Sequence, residues 1–508
     1  MRRAALSLVC LTAPFISPFV AAANGAQSPA RRPNVVVILA DDLGAGELGC
    51  YGQTRIRTPH IDSIAARGVR FTDGYSGAPV CAPSRCALLT GRHTGHAAVR
   101  DNWEAGGWGP DEPEGQLPLP AEEITLAERL RALGYRTGGF GKWGLGGPGT
   151  EGAPERQGFD HFHGYLCQRV AHNYFPTHLW RNGERVEIPG AKWFSAHQKL
   201  AEPLDGPAAY AARFGGPTAS YAPQRIADDM LSWLDEAAAS DDPFFLYYAS
   251  VIPHLALQVP DAYVERYPED WDAAPYLGQR GYLPHPSPRR AYAAMITFLD
   301  DQVGRVLALL EERGELENTL VLFTSDNGAT YVGGVDTAFF ASHDGRRGHK
   351  GQVWEGGVRV PFLAMWPGRI PAGSTSAHVV SGVDVTATVL EAAGARPAAG
   401  LDSVSLLAAA RGDASAPRPP LYWEHRPAGA QAVRDGRWKL VRAGLKPKQT
   451  ERVELYDLTA DPAEARDLAA EHPETVERLR AVLADQHTPN RRFPLPKTDP
   501  PRPRRESR

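Results

Sequence analysis

The sequence predicts an α/β fold in which a mostly parallel sheet has helices on both faces. Three short apolar runs alternate with three longer segments of helical period, and this alternation is typical of such sheets. Each apolar run ends in polar residues, as parallel strands covered on both faces do. With 508 residues, of which 43% are hydrophobic, the chain can form a large core and more than one domain.

The polar residues that follow the apolar runs are predicted to share one edge of the sheet. The predicted strands are residues 34–40, 243–250 and 319–324, and the predicted helices are residues 124–133, 224–239 and 289–313. The residues after the three strands are Asp41 with Asp42, His254, and Asp326 with Asn327. Ligands of parallel sheets bind beyond the carboxyl ends of the strands, so these positions are candidates for a site.

A second, smaller group of elements is predicted after a connector rich in Ala, Pro and Arg. Residues 421–424, 431–442 and 453–458 alternate as antiparallel strands do, with a turn at Asp435 and Gly436. A helix from residue 473 to about 486 is predicted to cover this sheet. The tail at 489–508 is rich in proline and basic residues and is predicted to be disordered. We therefore divide the chain into a large domain at 32–400, a C-terminal α+β subdomain at 415–488 and this tail.

The first 23 residues have the pattern of a secretory signal peptide. Arg2 and Arg3 precede an apolar stretch, and the small residues Ala21, Ala22 and Ala23 follow it. The stretch is also apolar enough for a membrane anchor, but its prolines and small-residue end favour cleavage. We expect export to the periplasm or the medium, without stable membrane insertion. The net charge of -4 argues against a nucleic-acid partner.

The run from Cys81 to Arg92, CAPSRCALLTGR, is the most informative feature of the chain. It resembles the signature CxPSRxxxLTGR of the type I sulfatases, and every defining position is matched. In that family the cysteine is oxidised after synthesis to formylglycine, so the resemblance implies a formylglycine-generating enzyme as a partner in maturation. Independently of the family, a helix that starts with Pro and Ser leaves backbone N–H groups free for an anion. Arg85 adds a fixed positive charge.

The resemblance implies a sulfuric ester hydrolase with an alkaline phosphatase-like fold. Such a fold has a large mixed, mostly parallel sheet between helices and a smaller C-terminal antiparallel sheet with a helix. One hydroxyl of the hydrated aldehyde attacks sulfur, and loss of the proton of the other then expels sulfate and regenerates the aldehyde. Modification of Cys81 leaves the thiols Cys50, Cys86 and Cys167 outside the signal peptide, which is no disulfide framework.

Two acidic pairs predict a metal site. Asp41, Asp42, Asp326 and Asn327 offer only oxygen ligands, which suit Ca²⁺ or Mg²⁺ better than zinc. Separately, Asp-Asp after a strand is more often a helix cap and Asp-Asn-Gly more often a turn. Together they resemble the calcium ligands of type I sulfatases, so the resemblance implies these four as ligands, and Cys81 is assigned to the metal site with them. The cation would neutralise sulfate charge, and the choice between Ca²⁺ and Mg²⁺ stays open.

Two lysines and a histidine extend this site. Lys142 lies in GKWGLG, which resembles the family's GKWHLG, and Lys350 lies in GHK ahead of EGGVRVP, which is similar to the family's GxK and EGGxRVP. His254 matches the family histidine that faces the leaving-group oxygen. Such residues are otherwise surface lysines or structural histidines. We assign Arg85, Lys142, Lys350 and His254 to the sulfate, with Lys350 or His254 protonating the departing alcohol.

One position departs from the family pattern. Where GKWHLG has a histidine that takes the proton of the second hydroxyl, this chain has Gly144. His172 and His349 are the candidates to replace it, and His172 is preferred as a catalytic residue.

Residues 158–193 are the segment to which substrate choice is assigned. They are dense in aromatic, amide and cationic side chains, and the predicted substrate contacts are Gln168, Arg169, Asn173 and Tyr174. Aromatic faces with hydrogen-bonding groups suit a sulfated saccharide, and the segment looks like one in bacterial carbohydrate sulfatases. A galactose or N-acetylgalactosamine sulfate is the specific expectation. A packed surface loop is the alternative.

Two other functions stay open at this point. A phosphonate monoester or phosphodiester hydrolase of the same superfamily can share the formylglycine motif. A non-catalytic glycan-binding relative would keep the fold, although Gly144 alone favours this second alternative.

Overall fold

The computed structural model describes residues 1, 31–216, 220–396, 398–413 and 415–499. The body of the predicted signal peptide therefore lies outside the described residues. From Arg32 onward, the described residues form one compact unit. None of the helices in this described part combines the length and the hydropathy that crossing a bilayer requires.

A ten-stranded sheet is the main element of the fold. Its strands are β1 (Asn34–Ala40), β2 (Val69–Tyr75), β3 (Arg136–Lys142), β4 (His161–Tyr165), β5 (His178–Arg181), β6 (Glu184–Glu187), β7 (Phe244–Ala249), β8 (Thr319–Ser325), β9 (Phe362–Met365) and β10 (Ser374–Ser381). Their order across the sheet is β10-β2-β9-β8-β1-β7-β3-β4-β5-β6. The central neighbours β8, β1, β7, β3 and β4 are parallel. Antiparallel pairs involve β9, β5 and β6, which confirms a mixed, mostly parallel sheet.

The three predicted apolar runs are the strands β1, β7 and β8, and all three are buried along their full length. Alternate side chains of β1 enter different cores, with Val36 on one face of the sheet and Val35 on the other. The strand ends are level, because Ala40 pairs with Ser325 and Leu39 pairs with Ala249. The residues that follow these strands therefore leave the sheet at the same edge.

Helices cover both faces of this sheet. The α-helices of the described residues are α1 (Pro59–Ala66), α2 (Cys81–Thr90), α3 (Leu126–Ala132), α4 (Gly206–Phe214), α5 (Ala222–Ala238), α6 (Asp261–Val264), α7 (Pro288–Glu312), α8 (Thr337–Phe340), α9 (Glu355–Val358), α10 (Val385–Ala392), α11 (Leu407–Ala410) and, in the C-terminal region, α12 (Pro473–Asp485). Helices α1, α5 and α7 contribute to one core, and α2, α3 and α10 contribute to the other. The predicted helices correspond to α3, α5 and α7.

The C-terminal region forms the predicted antiparallel sheet. Its strands are β11 (Leu421–His425), β12 (Ala430–Asp435), β13 (Trp438–Ala443) and β14 (Arg452–Asp457), in that order. Gly436 has φ +59° in the turn between β12 and β13, a conformation that glycine adopts without strain. Val476, Leu479 and Leu483 of α12 pack on one face of the sheet. The expected α+β arrangement is therefore present.

The prediction of a disordered tail is wrong for residues 489–499. Phe493 and Leu495 are each only 1% exposed, and the guanidinium of Arg442 donates to the hydroxyl of Thr498 at 2.9 Å. Proline and basic residues predict a solvated segment, but the burial of two apolar side chains holds this part of the chain against the protein. The rest of the predicted tail, residues 500–508, lies outside the described residues.

Candidate active site

Two strand ends and one helix start bring the predicted residues together. Asp41 and Asp42 follow β1, Asp326 and Asn327 follow β8, and all four are at most 1% exposed. Cys81 is the first residue of α2. Its Sγ lies 3.3 Å from Oδ1 of Asp41 and 3.9 Å from Oδ1 of Asp42. Residues far apart in sequence thus meet at the sheet edge that the sequence predicts.

The backbone of Asp42 connects the two acidic pairs. Asp42 has φ +69°, a left-handed conformation that residues other than glycine rarely adopt. In this conformation its N–H donates to Oδ1 of Asp326 at 3.1 Å. Its own Oδ1 accepts from Nδ2 of Asn327 at 2.8 Å. Such backbone strain is concentrated at functional sites, and here it directs both acidic pairs to the same space.

Three cations neutralise the three carboxylates. Nη2 of Arg85 lies 2.9 Å from Oδ2 of Asp326, and Nζ of Lys142 lies 2.7 Å from Oδ2 of Asp41. Nζ of Lys350 lies 2.7 Å from Oδ1 of Asp42. Pairing reduces the cost of burying these charges. We call these six charged residues, together with Cys81 and Asn327, the strand-end cluster.

The charges of the cluster shift its pKa values in opposite directions. Burial disfavours the ionised form of Asp41, but the positive charge of Lys142, reinforced by those of Arg85 and Lys350, outweighs burial and lowers its pKa. Burial and the charge of Asp41 raise the pKa of Asp326 to about 7. Burial, together with the charges of Asp326 and Asp41, raises the pKa of the Cys81 thiol well above its ordinary value. Among these side chains Cys81 is therefore a thiol and not a thiolate.

Asn327 shows that the cluster fits a cation. Its Nδ2 donates to Asp42 and to the carbonyl of Gly328, while its buried Oδ1 has no hydrogen-bond partner among the described residues. Leaving a buried acceptor unsatisfied costs about 1–3 kcal/mol. A cation would satisfy this oxygen, and the carboxylates around it complete the oxygen donor set that Ca²⁺ or Mg²⁺ prefers.

His254 faces the cluster from the loop after β7. Its Nε2 lies 3.7 Å from Oδ2 of Asp42, and its Nδ1 lies 2.8 Å from the carbonyl oxygen of Leu255. Because a carbonyl only accepts hydrogen bonds, Nδ1 carries the hydrogen and the neutral ring presents Nε2 to the cluster as an acceptor. Burial and the charge of Lys350 lower the pKa of His254 to about 4.

His172 lies behind His254. Their rings stack with centroids 4.9 Å apart and planes at 14°, and Nδ1 of His172 lies 3.1 Å from Nε2 of His197. Tyr282 packs against the edges of His172 and His254. We call His254, His172 and His197 the histidine row. The other candidate, His349, instead packs on Tyr331 with ring centroids 3.5 Å apart.

Gln168 fills the space that a side chain at Gly144 would occupy. Gly144 has φ +78°, and a Cβ there would lie 2.9 Å from Nε2 and 3.1 Å from Cγ of Gln168. The oxygen of Gln168 can accept from the N–H of Ala82 at 3.1 Å while its nitrogen donates to Asn102 and Glu104. Gln168 thus lies beside the residue that follows Cys81, and it is buried.

The other predicted substrate contacts divide between a cavity and the core. Arg169 and Asn173 line a cavity of about 390 Å³. Tyr174 is fully buried, and its hydroxyl contacts the carbonyl oxygens of Val251, at 2.6 Å, and His254. The structure therefore places Tyr174 in the core, where its phenol supports the loop that carries His254.

Two family models match this chain. Residues 33–395 match the model described as Sulfatase, and residues 348–489 match the model described as N-sulphoglucosamine sulphohydrolase, C-terminal. The chain belongs to the sulfatase family. It is a sulfatase, an enzyme that hydrolyses sulfate esters, and the expectation of an enzyme is confirmed.

Curated relatives cover most of this sulfatase. Arylsulfatase A of Homo sapiens is 35% identical over 89% of this chain and 87% of its own length. Steryl-sulfatase of Mus musculus is 31% identical, over 94% of this chain and 84% of its own length. N-acetylgalactosamine-6-O-sulfatase of Bacteroides thetaiotaomicron is 29% identical, over 92% of this chain and 94% of its own length.

Solved structures share the fold of this sulfatase. The structure of Ps i-CgsB in complex with k-i-k-neocarrahexaose has a TM-score of 0.68 and 26% identity, and the match covers 90% of this chain and 91% of that chain. Phosphonate monoester hydrolase of Agrobacterium radiobacter has a TM-score of 0.62 at 22% identity, covering 90% of this chain and 95% of that chain. This second likeness concerns the fold alone.

Proposed function

We propose that this sulfatase removes sulfate from a sulfated saccharide through a formylglycine hydrate formed at Cys81. The observation that carries the proposal is the position of Cys81, whose Sγ lies 3.3 Å from Asp41 at the start of a ten-residue helix. The first turn of a helix offers N–H groups and partial positive charge to an anion. A nucleophile at residue 81 therefore lies where the sulfate group is expected.

In this proposal the acidic pairs hold a divalent cation. Asp41, Asp42, Asp326 and Asn327 are its ligands, with residue 81 beside them. The bound cation supplies neutralisation of the charge on the sulfate ester. Arg85 and Lys142 are 0% and 2% exposed, and they orient the sulfate because burial and ion pairs fix their side chains.

The residue at position 81 supplies the nucleophile. One hydroxyl of its hydrated aldehyde would release its proton to solvent and attack sulfur, and the bond from sulfur to the ester oxygen would break. Lys350 protonates the departing oxygen, and it is favoured over His254 because Nε2 of His254 faces the cluster as an acceptor. Loss of the proton of the second hydroxyl then restores the carbonyl group and expels sulfate.

The base for the second hydroxyl is proposed in the histidine row. Nε2 of His254 is the acceptor that faces the cluster, and His172 stacks on its ring. His172, the sequence-based candidate for the group missing at Gly144, therefore acts in this proposal as a positioning residue for His254.

A sulfated galactose or N-acetylgalactosamine is the substrate that we propose. Support comes from the similarity to N-acetylgalactosamine-6-sulfatases and from the cavity lined by aromatic and cationic residues. The signal pattern at residues 1–23 supports export to the periplasm or the medium. A formylglycine-generating enzyme is the maturation partner.

The experiment is a desulfation screen with purified enzyme. The substrates are 6-sulfated galactose, 6-sulfated N-acetylgalactosamine, 6-sulfated N-acetylglucosamine, an aryl sulfate and an aryl phosphate diester. We expect the highest kcat/KM for a galactose or N-acetylgalactosamine sulfate. A higher kcat/KM for the diester than for every sulfate would contradict the proposal.

A further inference from the structure

The cavity of about 390 Å³ next to the histidine row has a wall of tryptophans. We call it the aromatic cavity, and it is lined in part by Trp108, Glu114, Arg169, His178, Trp180 and Trp193. Trp108 and Trp193 are 50% and 46% exposed. Large exposed aromatic side chains that share one concave surface indicate a binding site. The volume suits a single sugar ring, whose apolar face can lie against an indole.

The polar residues of the wall hold one of these indoles in place. Glu114 accepts a hydrogen bond from Nε1 of Trp180 and lies 3.4 Å from Nε2 of His178. The ring of His178 meets that of Trp180 edge to face, with centroids 6.2 Å apart. A wall fixed in this way loses little conformational entropy when a ligand binds.

Two arginines line the aromatic cavity, Arg169 and Arg185, and Arg185 forms an ion pair with Glu187 at 2.8 Å. Arg169 has different partners. Its guanidinium lies over Trp108, 4.4 Å from the ring centroid, and its Nη1 lies 2.8 Å from Nε2 of His197. No carboxylate in the described part of the chain forms an ion pair with Arg169. A guanidinium held between an indole and a histidine keeps donors available for an anion.

Arg169 also connects the aromatic cavity to the strand-end cluster. It contacts His197, and His197 contacts His172, which stacks on His254 in front of Asp42. Arg169, which lines the cavity, therefore contacts the outermost member of the histidine row. A ligand in the cavity would lie beside a sugar whose sulfate group occupies the cluster.

We propose that the aromatic cavity binds the sugar unit next to the sulfated one, and this proposal rests on the proposed function. In this cavity Arg169 selects an acidic sugar unit. The carboxylate of a uronic acid and a second sulfate group share the required chemistry, because both present several oxygens to the fork of N–H donors on a guanidinium. Trp108 and Trp193 supply the apolar contact with the ring.

The test compares the full-length enzyme with Arg169→Met. The substrates are 6-sulfated N-acetylgalactosamine alone and the same sugar linked to glucuronic acid, to a sulfated galactose or to glucose. A charged hydrogen bond contributes about 1.5–3 kcal/mol, so we expect kcat/KM for an acidic disaccharide to fall about 10- to 100-fold relative to the glucose disaccharide. The matched control is Arg426→Met, an exposed arginine between β11 and β12, which leaves all values unchanged.

Trp193→Ala is a second variant that keeps Arg169 intact. We expect it to lower kcat/KM for all three disaccharides relative to the monosaccharide, because the apolar contact with the second ring is lost. Equal values for wild type and Trp193→Ala on every substrate would overturn the assignment of the cavity to a sugar.

The outcomes for Arg169→Met test the role of the aromatic cavity separately from the proposed sulfatase reaction. A selective loss with glucuronic acid or with the second sulfate supports the proposal and identifies which anion is bound. An equal loss of kcat/KM on every substrate overturns the proposal, since Arg169 would then act on the reaction centre through His197. An unchanged kcat/KM on every substrate also overturns it. A wild-type enzyme that hydrolyses the aryl sulfate but none of the sugar sulfates contradicts the proposed function and this inference with it.

Discussion

Two buried clusters of this sulfatase have the same composition of charge but different surroundings. The strand-end cluster contains three acidic and three basic side chains, Asp41, Asp42, Asp326, Arg85, Lys142 and Lys350. A second cluster also contains three of each, Asp73, Glu355, Glu464, Arg359, Arg434 and Lys439. We call it the Glu355 cluster.

The Glu355 cluster joins the C-terminal sheet to the large domain. Nζ of Lys439, on β13, lies 2.8 Å from Oε1 of Glu355 and 3.0 Å from Oε1 of Glu464, and all three side chains are 0% exposed. Each carboxylate of the cluster has a cation within 3.1 Å. This pattern is typical of a structural contact between subdomains.

The strand-end cluster differs in two ways. It contains a thiol at a helix start, and it contains Oδ1 of Asn327, a neutral buried oxygen with no hydrogen-bond partner among the described residues. The corresponding oxygen of the Glu355 cluster, Oε1 of Glu464, has a cation 3.0 Å away. Buried ion pairs therefore do not by themselves mark a reaction centre. An unpaired neutral acceptor together with a thiol at a helix start distinguishes the proposed reaction centre from the Glu355 cluster, and the next four substitutions test this distinction.

Cys81→Ser removes the proposed chemistry and leaves the charges in place. Serine can accept the sulfuryl group but has no second hydroxyl to expel it, so we expect kcat to fall by about three orders of magnitude or more. Steady-state hydrolysis of an aryl sulfate measures the effect. Cys86→Ala, a buried thiol of the same helix, is the control and retains activity. Near-normal multiple turnover by Cys81→Ser would refute the diol mechanism.

Lys439→Met should lower stability and leave catalysis largely intact, the opposite of the effect expected for Cys81→Ser. It leaves Glu355 and Glu464 without their shared cation, so we expect the free energy of unfolding to fall by about 3–5 kcal/mol, while kcat of the folded enzyme changes by less than about tenfold. Urea unfolding measures the first quantity. The control is Arg466→Met, whose exposed ion pair with Glu471 at 2.8 Å contributes about 0–1 kcal/mol. Equal stability of the two variants would contradict a structural role for the cluster.

His172→Ala tests how far the reaction centre extends beyond the strand-end cluster. Loss of the ring that stacks on His254 should misplace its Nε2, and we expect kcat to fall about 100-fold, the contribution typical of general base catalysis. His349→Ala, which removes a ring packed on Tyr331, is the matched control with a much smaller effect. Unchanged turnover in His172→Ala would show that His172 has no role in the reaction.

Asn327→Ala tests the unmet oxygen directly. Without this ligand we expect the Kd for Ca²⁺ to rise about tenfold or more, as measured by titration calorimetry on enzyme freed of metal with a chelator. Asn318→Ala, just before the other end of β8, should bind Ca²⁺ like the wild type. If the two variants have the same Kd, Asn327 is not a ligand. The same titration with Mg²⁺ decides between the two cations.

The sequence was sufficient to predict those strands and helices that have a long and regular hydrophobic pattern. The strands β1, β7 and β8 and the helices α5 and α7 were predicted because continuous apolar runs and helical periods mark them. The short strands β5, β6 and β9 were not predicted. Each has only four residues, which is too few for an alternation that distinguishes a strand from a loop.

The site was predictable only where a motif marks it. Asp41, Cys81 and Lys350 lie in recognisable motifs, and the structure brings them together. His197 and Tyr282 were missed, because they lie in loops without a motif. Only tertiary packing brings them next to His172. The sequence revealed that Gly144 lacks a side chain, but the filling of that space by Gln168 is a property of the folded chain.

The most direct test of the central claim is the mass of the Cys81 peptide from enzyme matured in its native host. If residue 81 is the formylglycine nucleophile, active enzyme will contain a peptide lighter than the unmodified one by about 18 Da, the change from thiol to aldehyde. A fully active preparation in which every Cys81 peptide keeps its sulfur would contradict the account.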